Sequence, residues 1–252
     1  MIEVDEHGAV TELRLERPPV NALNPELVET LDARLVEAVE NDARAVVMTG
    51  GEGMFSAGLD VPVLLRLSRE EMDAFWKSFF GLMERIATAP VPVVAGLTGH
   101  SPAGGAVLAI FCDYRVMSQG DYRIGLNETQ VGLPVPDVIC HGLARLVGRG
   151  TANRMLVSGE MLDPEEARRI GMVDALAEDP EQTRQAAVEW AGQVAGLPAK
   201  AVARTRATIR ADLAKMFRDL GEQTRAEMLE VWFSDETQQA MHALVERLAA
   251  KH

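Results

Sequence analysis

Residues 98–134 read TGHSPAGGAVLAIFCDYRVMSQGDYRIGLNETQVGLP, and the order of elements in this stretch decides the fold. An apolar run at 92–97 leads into it as a buried strand. Pro102 cannot continue that strand, while Gly104 and Gly105 allow backbone conformations and close approaches that a side chain would block. Residues 106–112 then read as a short apolar helix, and 114–117 and 122–124 as further strands. Strand, loop, helix and strand in alternation make an α/β pattern. The first N–H groups of the helix have no internal partner and sit at its positive end, so they favour an oxygen that gains negative charge. The same glycines would equally serve a tight turn that lets a buried helix pack. Downstream stands a lone carboxylate, Glu128, which taken by itself reads as a solvated surface charge.

A second segment changes the weight of the first. Residues 50–60 read GGEGMFSAGLD and follow a buried-strand run at 45–48. In their order and spacing, FSAGLD at 55–60, SPAGG at 101–105 and IGLNETQ at 124–130 resemble the crotonase (enoyl-CoA hydratase/isomerase) superfamily. Within it they are most similar to the mitochondrial-type 3,2-trans-enoyl-CoA isomerases. The general likeness runs from RPPVNALN at 17–24 to the last helix, and the PAGG and IGLNETQ segments carry the isomerase-like part.

The resemblance implies a spiral of ββα units over residues 1–195, followed at 196–252 by a helical trimerisation region, with a homotrimer or dimer of trimers as the assembly. It implies an acyl-CoA thioester as substrate, coenzyme A being part of that substrate, with no separate cofactor and no metal. The backbone N–H groups at Leu59 and Gly104 would hold the thioester oxygen, and Glu128 would be the base. Ser56, Ala57, Gly58 and Asp60 fall in the first motif, where the substrate would bind. Hydratases of the superfamily carry a second glutamate where this chain has Val107, so the resemblance points to a single-base shift of a 3-enoyl-CoA to the 2-trans isomer in fatty acid β-oxidation. Asp137 lies in a region from which other members draw a second acid; read from the residues, it is instead an N-cap for a helix starting at Val138. Another superfamily enzyme of hydratase, hydrolase or lyase type, using Glu128 with Asp137, and a non-catalytic acyl-CoA-binding protein are the alternatives. His100 and His141 lack the paired Asp or Ser of a triad.

Composition is in keeping with a soluble enzyme. The 252 residues are 47% hydrophobic, enough to bury a full core. No apolar run approaches the roughly 20 residues of a membrane span, and the first ten residues, MIEVDEHGAV, are acidic where a targeting peptide would be basic. The expected location is the cytoplasm. With 38 acidic against 25 basic residues the net charge is −13, which opposes nucleic acid and anionic membrane surfaces. Coenzyme A phosphates would need local cations, and no arginine or lysine stands out for them. Cys112 and Cys140 have neither metal-site nor disulfide spacing and read as buried thiols.

The remaining pattern supplies the elements. Strands are expected at 2–4 and 10–15 around Gly8, and an amphipathic helix at 25–40 behind an Asn24 N-cap, with Leu27, Leu31, Leu35 and Val39 on its inner face. A helix at 69–88 carries Met72, Phe75, Phe79, Leu82 and Ile86 on one stripe, its aromatic residues reading as core. After Asp137 the chain turns helical, with 172–176 the one later strand and helices at 180–196, 198–219, 221–232 and 235–249. No repeat and no low-complexity linker is visible.

Overall fold

The computed structural model describes residues 1–250. The chain opens with an antiparallel hairpin, β1 (Ile2–His7) and β2 (Val10–Leu15), turning at Gly8. Helix α1 (Pro25–Glu40) starts where Asn24 Oδ1 accepts the Leu27 N–H at 2.9 Å, and Pro25 stands in the first position, where no N–H is needed. Its inner face buries Leu27, Leu31 and Leu35, with Ala38 rather than Val39 completing the stripe.

Three successive strand pairs follow. They are β3 (Ala45–Thr49) and β4 (Gly53–Met54), then, after α2 (Val61–Leu64) and α3 (Arg69–Thr88), β5 (Val93–Leu97) and β6 (Gly99–Pro102). Helix α4 (Gly104–Ile110) leads to β7 (Tyr114–Ser118) and β8 (Ile124–Gly125), which ends in a 3-10 turn, Glu128–Val131. The chain continues through α5 (Asp137–Val147), α6 (Arg149–Ser158), β9 (Met161–Leu162), α7 (Pro164–Ile170) and β10 (Ala175–Ala177). It closes with α8 (Pro180–Ala195), α9 (Ala199–Ile209), α10 (Ala211–Trp232) and α11 (Asp235–Ala249).

The first strand of each pair joins a six-stranded sheet of order β1-β2-β3-β5-β7-β10, and the second joins a four-stranded sheet of order β4-β6-β8-β9. Pairing is parallel from β2 through β10 in the large sheet and from β4 through β8 in the small one. This is the spiral of ββα units, and it is repeated in register, not in residues. The large sheet is covered on both faces, which is why β3 and β5 are continuous apolar runs. Val46 and Met48 face the helices α1 and α3, while Ala45 and Val47 meet Ala187, Ala191 and Ala195 of α8.

Helices on both sides of residue 196 share one core. Helix α10 lies along α3, and Trp232 meets Trp76 edge-on at 6.2 Å between ring centroids. Two arginines tie this region down. Arg206 donates to Asp113 at 2.9 Å and to the Ile86 and Ala89 carbonyls at the end of α3. Arg210 donates to the Phe111 and Cys112 carbonyls beyond α4, each at 2.7 Å, and also pairs with Asp113. Helix C-termini leave such carbonyls without partners, and the guanidinium groups supply them.

Several boundaries differ from the sequence reading. The helix expected at 198–219 breaks at Arg210, not near Gly221, because Arg210 is drawn out of helical geometry (φ −106°, ψ 11°) toward α4; Gly221 lies inside α10. The late strand begins at Ala175, since Asp174 gives its N–H and carboxylate to Arg115 and the ladder with β7 starts only afterwards. The two-residue strand β9, on the edge of β8, carries too little pattern to be read. Among the described residues no helix is long and apolar enough to cross a membrane.

Candidate active site

Because β4, β6 and β8 run parallel, their C-terminal ends lie at one edge of the small sheet. The chain leaves those ends through 55–60, through Ala103–Gly104 and through Asn127–Glu128, so one edge gathers all three motifs. They border a cavity of about 630 Å³ whose wall is mainly apolar.

The first loop is held by a short parallel bridge. Leu23 N–H donates to Gly58 O at 2.7 Å and Asp60 N–H donates to Leu23 O at 3.0 Å. In a parallel bridge the residue between these two bonds turns its own N–H away, and that residue is Leu59. Among the described residues the Leu59 N–H donates to no protein acceptor. Gly58 takes φ +84°, and a methyl group on it would stand 3.0 Å from Gly104 N, so the two loops touch through backbone. On the other loop Ala103 adopts φ 45° and ψ −118°, a conformation costing on the order of 1–3 kcal/mol. Bonds from both sides keep it there: Ala103 N–H to Gly125 O at 2.8 Å and Val107 N–H to Ala103 O at 2.9 Å. The strained residue presents Gly104, whose buried N–H opens α4 and likewise has no protein acceptor among the described residues.

Glu128 begins the 3-10 turn. Its Oε2 is shut off from solvent and has no hydrogen-bond partner among the described residues, and burial among apolar walls pushes its pKa up to about 7, with its own backbone N–H opposing the shift. The turn is braced through backbone carbonyls: Thr129 Oγ1 donates to Leu156 O at 3.3 Å, and Gln130 Nε2 donates to Ser158 O and Gly159 O at 3.1 and 3.0 Å.

Of the residues expected to contact substrate, Ala57, Leu59, Asp60, Gly104, Val107 and Glu128 border the cavity. Ser56 and Gly58 do not. Ser56 is buried behind the loop, where its hydroxyl donates to Asn21 O at 2.8 Å and accepts the Gly58 N–H at 3.2 Å, so it shapes the loop from within. Asp60 caps α2 and pairs with Arg17 at 2.6 Å, which occupies its charge. Asp137 is not a cap: Pro136 is the N-cap of α5, and Asp137 is its first helical residue, exposed and outside the cavity wall. From that position its carboxylate favours the helix N-terminus only through the dipole. His141 pairs with Asp212 and His100 accepts the Arg123 N–H, both outside the wall. Cys112 is fully enclosed, its thiol pushed up to about 12 by burial. No group of three or more His, Cys, Asp or Glu among the described residues is placed to hold a metal ion.

Other wall residues escaped the sequence reading. Trp76 and Phe79 of α3 serve the cavity as well as the core, and Met228, Met241, Leu244 and Leu248 come from α10 and α11. An amphipathic stripe looks the same whether it faces a core or a cavity, so no local signal marks them. Among the described residues Arg17 is the cation in the wall; only its place at the head of RPPVNALN hinted at it.

The family model for enoyl-CoA hydratase/isomerase matches residues 5–252. The chain belongs to the enoyl-CoA hydratase/isomerase family. Within that family it is isomerase-like. The human mitochondrial enoyl-CoA delta isomerase 1 is 34% identical over 214 residues, covering 83% of this chain and 70% of that protein. A solved structure of human mitochondrial delta3-delta2-enoyl-CoA isomerase superposes with a TM-score of 0.95 at 29% identity, covering 99% of this chain and 98% of the other. The family also includes relatives with the other name: a Mycobacterium tuberculosis protein called probable enoyl-CoA hydratase EchA17 is 34% identical over 199 residues, 78% of this chain and 75% of that one.

Proposed function

We propose that the protein shifts the double bond of a 3-enoyl-CoA to the 2-trans position, with Glu128 as sole base and acid. Glu128 takes the proton from C2, the C2–H electrons pass into a dienolate, and the same carboxyl returns the proton at C4 as the double bond settles between C2 and C3. The Leu59 and Gly104 N–H groups hold the thioester oxygen while it is charged, each worth about 3 kcal/mol of barrier in sites of this kind. One observation carries the single-base reading. Among the described residues of the cavity wall the other carboxylate is Asp60, already paired with Arg17, and the wall position three residues beyond Gly104 is Val107. Water addition needs a second group to activate the water, and this wall offers none.

The proposal includes fatty acid β-oxidation as the setting, no cofactor beyond the coenzyme A of the substrate, a trimer or paired trimers formed with the 196–252 region, and a cytoplasmic location. The test is incubation with a panel of 3-enoyl- and 2-enoyl-CoA thioesters and identification of the products. Conversion of 3-hexenoyl-CoA to the conjugated isomer, with negligible hydration of crotonyl-CoA, is expected. Brisk hydration would favour a two-carboxylate enzyme instead.

A further inference from the structure

Among the described residues no side chain donates a hydrogen bond to the Glu128 carboxylate, so its aim depends on the backbone turn that carries it. That turn closes at Gly132, which takes φ +76°, and Leu133 N–H returns to Glu128 O at 3.0 Å. On one side, Thr129 and Gln130 brace the turn against α6. On the other side stands a single bond from a distant part of the chain: Thr237 Oγ1, buried at 1% exposure, donates to Gly132 O at 2.8 Å. Helix α11 is pressed against the same glycine, for a methyl on Gly132 would lie 3.0 Å from Ala240 Cβ. Further along, α11 supplies Met241, Leu244 and Leu248 to the cavity wall.

We infer that Thr237 is a positioning residue for Glu128, its hydroxyl fixing the catalytic turn to the helix that walls the acyl cavity. The hydroxyl bonds the carbonyl of Gly132, the C-cap of the turn, so losing it frees that carbonyl and lets the turn shift against α11. The role differs from helix capping, which Ser234 performs by accepting the Thr237 N–H at 3.3 Å. The inference rests on the base role proposed for Glu128.

The test compares Thr237→Val, which keeps shape and removes the hydroxyl, with Thr237→Ser, which keeps the hydroxyl, using 3-hexenoyl-CoA. A misplacement of about 1 Å can cost about 100-fold in rate. Thr237→Val is therefore expected to lower kcat about 10- to 100-fold, with KM changed less than about threefold, and to move the acid limb of kcat/KM to lower pH as the carboxylate meets solvent. Thr237→Ser should stay within about twofold of the parent. If Thr237→Val does not fold, Thr237→Ala is the substitute: it also removes the hydroxyl and should give the same loss of kcat. Parental turnover in the Val variant, or equal losses in Val and Ser, would overturn the positioning role. Glu128→Gln is measured first and separates the two readings, because activity there removes the base role itself, whatever Thr237 does.

Discussion

Keeping a carboxylate charged inside an apolar wall costs stability, and Glu128 illustrates the cost. Its ordinary pKa is 4.5 and in the folded protein it rises to about 7. Between those values the folded chain holds a proton that the unfolded chain has released, so stability falls as pH rises through that window, and the penalty is complete above about 7. Glu128→Gln removes the charge. At pH 8 that variant should be more stable than the parent by an amount on the order of 2–3 kcal/mol and melt higher, while isomerisation drops by about 100- to 10,000-fold. Below pH 4.5 the melting temperatures should converge, both side chains then being neutral in both states. Thermal melts at the two pH values, with turnover on the same preparation, check this; a variant less stable than the parent at pH 8 would contradict it. Asp137 behaves oppositely. Exposed in the first turn of α5, it should lose no more than about 1 kcal/mol on change to Asn, with turnover unaltered. Loss of activity there would restore it as a second acid.

At the level of elements, the arginines of α9 and its junction with α10 connect two helices whose ends would otherwise leave bare carbonyls. Arg206→Ala should destabilise the protein by about 3 kcal/mol in denaturant unfolding, because Asp113 and two α3 carbonyls lose a buried donor while Arg210 keeps part of the charge balance. A change below about 0.5 kcal/mol would show that these contacts are incidental. The same residues show why some elements were legible and others not. Helices α1 and α3 announce themselves by their stripes, and α1 also by its cap, Asn24 lying where local chemistry demands it. The break at Arg210 has no local cause: the side chain is pulled by carbonyls about a hundred positions earlier in the chain. Within the site, the meeting of Leu59, Gly104 and Glu128 at one cavity was legible through motifs, whereas the walls drawn from α3, α10 and α11 were not, since their stripes read as core. Asp137 misled because Asp before an apolar run suits a cap, and Pro136 had already taken that place.

Seen whole, the molecule closes its cavity with pieces from both ends of the chain, Arg17 and Ala22 near the start and α11 near the end. Ending the chain at Ser234 should therefore abolish turnover and raise the binding of an apolar fluorescent dye, with the sheets still giving a cooperative melt. Full activity without α11 would show that this wall is dispensable. The spiral also separates duties: the large sheet, packed on both faces, holds the frame, while the small sheet's strand ends carry the groups proposed to react. The Glu128 carboxylate, whose Oε2 is closed to solvent and which among the described residues takes no side-chain hydrogen bond through which to trade its proton, has an isotopic consequence. A hydrogen removed from C2 has no ready exit before it is delivered to C4. Substrate carrying deuterium at C2 should thus yield product with the label at C4 even in ordinary water, and mass spectrometry of the product would trace each atom's passage within one molecule.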